Sequence, residues 1–177
     1  MSAEVSIKNI IAKKRLTALY QPIIDCRTQT VFGYEALIRG PSNSDMHAPH
    51  SLLDAAEIEN THIELDYLCR EIVIRRFHQF DIQTPLFINS IPVTLEKPNL
   101  GIAHTNEILK ETDISSESIT LEMSSPFPFS DFKQIRKSVE LYRKAGFTIA
   151  IDNFGVNRQN QRHWEEIRPD YIKLNRY

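Results

Sequence analysis

Short apolar runs alternate with stretches whose apolar residues recur every three or four positions, and this contrast separates strands from helices along most of the chain. Ala18 to Asp25 (ALYQPIID) and Val31 to Ile38 (VFGYEALI) read as strands joined by the polar link CRTQT. A link this short suffices for a hairpin, whereas a parallel crossover needs about a dozen residues or more, so the two strands are predicted to be antiparallel. Further strands are predicted at PLFIN (Pro85 to Asn89), SITLEM (Ser118 to Met123), FTIAID (Phe147 to Asp152) and DYIKL (Asp170 to Leu174).

Helical patterns fill the intervals. Ser51 is the expected N-cap of the first, with Asp54 in its opening turn, where the helix dipole favours an anion. Leu65, Leu68, Cys69 and Ile72 continue at helical spacing, as do Val73, Phe77 and Phe80. A short helix is expected near Thr105 to Glu111, and another capped by Ser130 with Phe132, Ile135, Val139 and Tyr142 on one face. Gly146 is placed to stop that helix in the left-handed conformation, and Gln161 to Ile167 reads as a last short helix. One hairpin followed by helix–strand units predicts an α/β fold with a mainly parallel sheet. Right-handed crossovers roll such a sheet toward a TIM-like barrel. A closed barrel of this kind has eight strands and about 250 residues. The six strands counted here predict an incomplete barrel with an antiparallel first strand, over residues 18–177, preceded by a helical extension over residues 1–17.

Composition narrows the picture. The chain has 177 residues, enough for one sizeable core, with 41% hydrophobic and 25% charged residues, which argues against disorder. A net charge of −2 gives no basis for a nucleic-acid-binding surface. No apolar run reaches the roughly 18 residues of a membrane span, and MSAEVSIKNIIAKKRL lacks the apolar core of a signal peptide. Cys26 and Cys69 lack CxxC spacing, so reduced thiols and a cytoplasmic location are expected. The scattered histidines show no HxxxH or HExxH spacing and read as surface residues. Phe127 and Phe129 form an aromatic–proline loop that either packs on itself or stacks on a base. The stretch from Glu4 to Leu16 is expected to be a helix capping the barrel floor rather than a membrane-surface segment.

Polar residues recur at the C-terminal ends of the predicted strands: Glu35 and Arg39, Asn89, Glu122, Asp152 and Lys173. In a barrel these ends share one mouth, where active sites of this architecture lie. A single acid at a strand end is ordinarily solvated or caps the next helix. Several acids at one mouth repel one another unless a cation compensates them, and carboxylate and amide oxygens suit a hard ion such as Mg²⁺, Mn²⁺ or Ca²⁺. The pattern alone names no substrate.

The segments YQPIID, GYEALIRGP, FIN, LEM, AIDNFG and PDYIKLN resemble, in order and rough spacing, the motifs of the EAL domain family, bacterial phosphodiesterases that linearise cyclic di-GMP. The resemblance runs from about Leu19 to the end, with Glu35-Ala36-Leu37 as the name-giving triplet. It implies a modified TIM barrel in which Glu35, Asn89, Glu122 and Asp152 hold a first divalent ion. By the same resemblance Arg39 grips a phosphate, a task suited to a guanidinium fork, Lys173 stands beside the attacking water, and Gln21 lines the cleft floor. Two ions together activate the water and steady the phosphate in active members.

Departures from the family pattern bear on activity. The second acid of DDFG is Asn153, the second glutamate of LE-x-TE is Ser125, and the acid of KID is Asn175. The loop after DDFG reads Val156-Asn157-Arg158-Gln159-Asn160. Two further strand–helix units of the family pattern, with another glutamate and a late glutamine, do not appear before Tyr177. The expectation is a degenerate domain that binds cyclic di-GMP or a protein partner as a signalling regulator without efficient hydrolysis. The alternatives are a phosphodiesterase completed by another chain or by further sequence, and a remnant without function. An uncovered last strand is expected to favour self-association.

Overall fold

The computed structural model describes residues 6–95, 97–124, 132–155 and 164–175. Ser125, Phe127, Phe129, Ser130 and the segment Val156 to Asn160 lie outside the described residues. Six strands form one sheet in chain order: β1 (Thr17–Asp25), β2 (Thr30–Arg39), β3 (Leu86–Ser90), β4 (Ile119–Ser124), β5 (Thr148–Phe154) and β6 (Tyr171–Leu174). β1 pairs antiparallel with β2, from Thr17 opposite Arg39 to Asp25 opposite Thr30, as the short link predicts. All later pairs are parallel. The sheet forms a TIM-barrel-like half-barrel whose outer face carries the helices.

α2 (Pro49–Ile58) and α3 (His62–His78) connect β2 to β3. α4 (Pro92–Leu95) and α5 (Pro98–Thr112) connect β3 to β4, and α6 (Phe132–Lys144) connects β4 to β5. Ile88, Leu121, Met123, Ile149 and Ile151 on the sheet's outer face bury against Val73, Phe77, Ile108, Val139 and Tyr142 of the helices. Each such side chain contributes about 1.5–3 kcal/mol when fully buried. Alternation along each strand then turns Glu35, Asn89, Glu122, Asp152 and Lys173 to the inner face.

Four expectations are corrected. Ser51 is not an N-cap: α2 starts two residues earlier at Pro49, whose fixed φ and missing N–H suit the first helical position, behind Ala48. The stretch from Ser51 to Phe80 is two helices, because Asn60 adopts φ +53° and ends the first; Phe80 falls beyond α3 and is exposed, though its ring meets Tyr20. α5 is twice as long as its apolar pattern indicates, since its buried face uses Gly101, Thr105 and Thr112 beside Ile108 and Leu109.

The fourth concerns the N-terminal helix. Ser6 caps α1 (Ile7–Ala12), its Oγ accepting from the Asn9 amide at 3.2 Å. Ile7 and Ile10 are wholly buried with Leu52, Ala56 and Leu65, against Leu16, Ile38 and Ile91. Ile38 and Ile91 mark the C-terminal ends of β2 and β3, so α1 sits beside the mouth and not at the floor. The antiparallel β1 is the reason, because it enters the sheet where β2 ends, Thr17 opposite Arg39. Lys14 anchors the helix exit to Glu71 of α3 at 2.7 Å.

Gly146 ends α6 with φ +95°, as predicted. A Cβ there would lie 2.3 Å from Ser116 Oγ, a second reason for glycine. Cys26 and Cys69 are free thiols. Among the described residues no helix is long and apolar enough to cross a membrane.

Candidate functional site

The inner face brings β2, β4, β5 and β6 together at one ammonium group. Lys173 Nζ lies 2.9 Å from Glu35 Oε1, 2.9 Å from Glu122 Oε1 and 3.8 Å from Asp152 Oδ1. Glu122 is wholly buried, while Glu35, Asp152 and Lys173 keep partial contact with solvent. Burial pushes the Glu122 carboxyl up to about 7, against the pull of Lys173 and with added repulsion from Glu35 and Asp152. Burial alone would lower the Lys173 ammonium, but Glu122 and Glu35 outweigh it and raise it above its ordinary value.

The donor set is compatible with a hard divalent ion. Three carboxylates surround a single positive charge, leaving a negative excess when all are ionised. Lys173 donates a hydrogen bond to Glu122 Oε2 at 2.9 Å, whereas the buried Oε1 is in ionic contact but has no hydrogen bond of good geometry. That oxygen retains lone pairs for a cation. Asn89 stands opposite Glu122 in the β3–β4 register, exposed at the mouth, and supplies a neutral amide oxygen. Among the described residues no three His, Cys, Asp or Glu side chains already form a metal cage, for Lys173 Nζ stands between these acids. A metal would therefore have to displace the ammonium.

Arg39 shares the strand face of Glu35, four residues on. Its Nη1 donates to the Ile38 carbonyl at 2.8 Å, and no carboxylate among the described residues pairs with it. Gln21 faces Glu35 across the hairpin and is exposed. Arg39 and Gln21 thus flank the acids without neutralising them.

Asn153 and Asn175 link β5 to the end of β6. Asn175 Nδ2 donates to Asn153 Oδ1 at 3.1 Å, and Asn153 Nδ2 donates to Asp152 Oδ2 at 3.0 Å. Asn153 lies at an irregularity in the β5–β6 register with φ +56°, a left-handed conformation that asparagine tolerates better than most residues. Asp152 is therefore held by Lys173 on one oxygen and by an amide on the other.

The polar residues at the strand ends do not include the ion pair behind this site. On α3, Asp66 and Arg70 are both buried and joined at 2.8 Å, and Arg70 donates to Ser90 at the end of β3. The available signal was an acid and a base four residues apart on the same helical stripe as Leu65, Cys69 and Val73. Charges on a buried stripe require partners in other elements.

The EAL domain profile matches residues 4–177, nearly the whole chain. The chain belongs to the EAL domain family. It is 28% identical over 176 residues to a probable cyclic di-GMP phosphodiesterase, PdeI of Escherichia coli, covering 96% of this chain and 22% of that protein. It is also 28% identical over 162 residues to the EAL-domain protein YkuI of Bacillus subtilis, covering 88% of this chain and 39% of that one. The chain thus spans well under half of either relative. Among solved structures, a standalone EAL protein from Vibrio cholerae in its c-di-GMP-bound form is 29% identical with a TM-score of 0.73, covering 90% of this chain and 66% of that one. The Xanthomonas citri FimX EAL domain in complex with c-diGMP has the same fold at 18% identity, with a TM-score of 0.81 over 96% of this chain and 67% of that one. Klebsiella pneumoniae BlrP1, in a calcium and cyclic di-GMP complex, superimposes with a TM-score of 0.80 at 22% identity over 99% of this chain and 42% of that one.

Proposed function

We propose that this EAL domain binds cyclic di-GMP at the mouth of its half-barrel with one divalent cation and acts as a signalling regulator with little or no hydrolysis. The observation that carries this reading is the convergence of Glu35, Glu122 and Asp152 on Lys173 Nζ, with Arg39 on the same strand face as Glu35 and paired with no carboxylate among the described residues. Glu35, Asn89, Glu122 and Asp152 are the oxygens that would hold Mg²⁺, Mn²⁺ or Ca²⁺. Such an ion, when bound, supplies Lewis-acid polarisation of the phosphate. Arg39 offers paired N–H donors to a phosphate oxygen, and Gln21 offers an amide on the neighbouring strand. Lys173 would offer its ammonium N–H groups to a phosphate oxygen or a water at the same mouth.

Weak hydrolysis follows from the chemistry of Asn153 and Asn175. Their side chains carry no negative charge and are already engaged with each other and with Asp152. A second cation would meet amides where two-ion catalysis calls for carboxylates. The proposed setting is the cytoplasm, where free Cys26 and Cys69 thiols persist. The proposed partners include a protein or a second copy of the chain.

Calorimetry with cyclic di-GMP in Mg²⁺, Mn²⁺ or Ca²⁺, run alongside chromatography of the nucleotide, tests this reading. Saturable, cation-dependent binding without conversion is expected. Steady turnover to the linear dinucleotide would return the phosphodiesterase reading to first place, and absence of binding under all three ions would refute the nucleotide reading.

A further inference from the structure

The Asp66–Arg70 pair lies directly behind the exit of β3, and its geometry accounts for how Asn89 is held. Arg70 is wholly buried in α3 and contacts Asp66 Oδ2 through Nε at 2.8 Å. The other oxygen, Asp66 Oδ1, accepts the backbone N–H of Ile91 at 2.9 Å. Arg70 Nη2 donates to Ser90 Oγ at 2.8 Å and to Thr94 Oγ1 at 3.3 Å. Its Nη1 donates to Thr105 Oγ1 at 3.3 Å and to Tyr142 Oη at 3.4 Å, with the guanidinium 5.8 Å from the Tyr142 ring centre. One ion pair therefore grips two consecutive residues after Asn89 and braces them on α5 and α6.

Asn89 needs such a support. Its side chain is exposed on the opposite face of β3 and makes no hydrogen bond with a described residue, so its direction is set by the backbone at residues 89–91. Glu35, Glu122 and Asp152 are held differently, by direct contact with Lys173. A buried ion pair adds little net stability over an apolar substitute, because desolvation opposes the attraction. A role in fixing geometry accounts better for its position.

We infer that Asp66 and Arg70 are positioning residues that fix the β3 exit so that Asn89 presents its amide oxygen to the cation site. The inference rests on the proposed function for the part played by Asn89 in cation binding. Groups behind a ligand typically alter metal affinity by about 10–100-fold.

The test compares Arg70→Lys, which keeps the charge and loses the fork, with Ser90→Ala, which leaves the ion pair intact. Each is made with Asn89 present and in an Asn89→Ala background, in the full chain, and Mn²⁺ affinity is read by electron paramagnetic resonance. Both variants are expected to weaken Mn²⁺ binding about tenfold with Asn89 present and less than twofold without it. Equal losses in both backgrounds, or no loss in a folded variant, would overturn the inference. Amide hydrogen exchange in metal-free protein supplies a second readout. Exchange at Asn89, Ser90 and Ile91 should accelerate about tenfold while Leu121 on β4 stays unchanged. Uniform acceleration or none would overturn the inference even if the chain bound no Mn²⁺. If wild-type protein binds no Mn²⁺, or Asn89→Ala leaves its affinity intact, the cation reading fails while the exchange data still decide the positioning role. Should Arg70→Lys not fold, Ser90→Ala alone decides.

Discussion

Lys173 on β6 reaches past β5 to contact Glu122 on β4 at 2.9 Å, two strands away. The path is open because the residue opposite Glu122 on β5 is Ala150, buried and carrying only a methyl group. A larger side chain there would fill the space that the lysine crosses. Ala150→Leu is expected to destabilise the fold by about 1–3 kcal/mol, as overpacking does, and to separate Lys173 from Glu122. Denaturant unfolding checks the first effect, and the NMR titration of the Glu122 carboxyl checks the second.

The same carboxyl predicts a pH dependence. The folded protein holds the Glu122 proton up to about pH 7, whereas the unfolded chain releases it near the ordinary glutamate value of 4.5. Between those values the folded state binds more protons, so this group's contribution to stability falls as pH rises. The slope is at most about 1.4 kcal/mol per pH unit for one proton. Metal-free protein should therefore show a declining unfolding free energy over this window, and Glu122→Gln should flatten it. An unchanged slope in that variant would remove Glu122 as the source.

Arg39 donates a hydrogen bond to the Ile38 carbonyl of its own strand and pairs with no carboxylate among the described residues, so its removal should cost ligand binding more than folding. Arg39→Ala is expected to weaken cyclic di-GMP binding about 10–100-fold, equivalent to losing a charged hydrogen bond of about 1.5–3 kcal/mol. The melting temperature should hardly move. Calorimetry and a thermal melt on the same sample separate the two quantities.

Gly101 sets helix propensity against packing. Alanine there gains about 1 kcal/mol in an isolated helix. Its Cβ, however, would sit 2.3 Å from Tyr142 Oη, and Tyr142 is wholly buried. The clash should dominate, giving a net loss of about 1–3 kcal/mol. A melting curve for Gly101→Ala gives the answer, and a rise in stability would show that Tyr142 can yield.

Much of this architecture is legible in the sequence. Short apolar runs place all six strands, and the short link after Asp25 gives the antiparallel β1. Glu35, Glu122, Asp152 and Lys173 were marked by their strand ends, and the structure gathers them. Helix limits were less readable, because α5 buries glycine and threonine where a pattern reader expects aliphatic residues.

The six strands, the antiparallel direction of β1 and the polar residues at the strand ends are determined by the sequence alone, because short apolar runs and link length are local properties. Tertiary structure decided that α1 lies beside the mouth, that Lys173 joins carboxylates from three strands, and that Asp66 and Arg70 meet the end of β3. Those outcomes depend on which distant residues become neighbours when the sheet curves and the helices close over it. Contacts between distant elements act through space, and local spacing shows at most which residues are candidates for them.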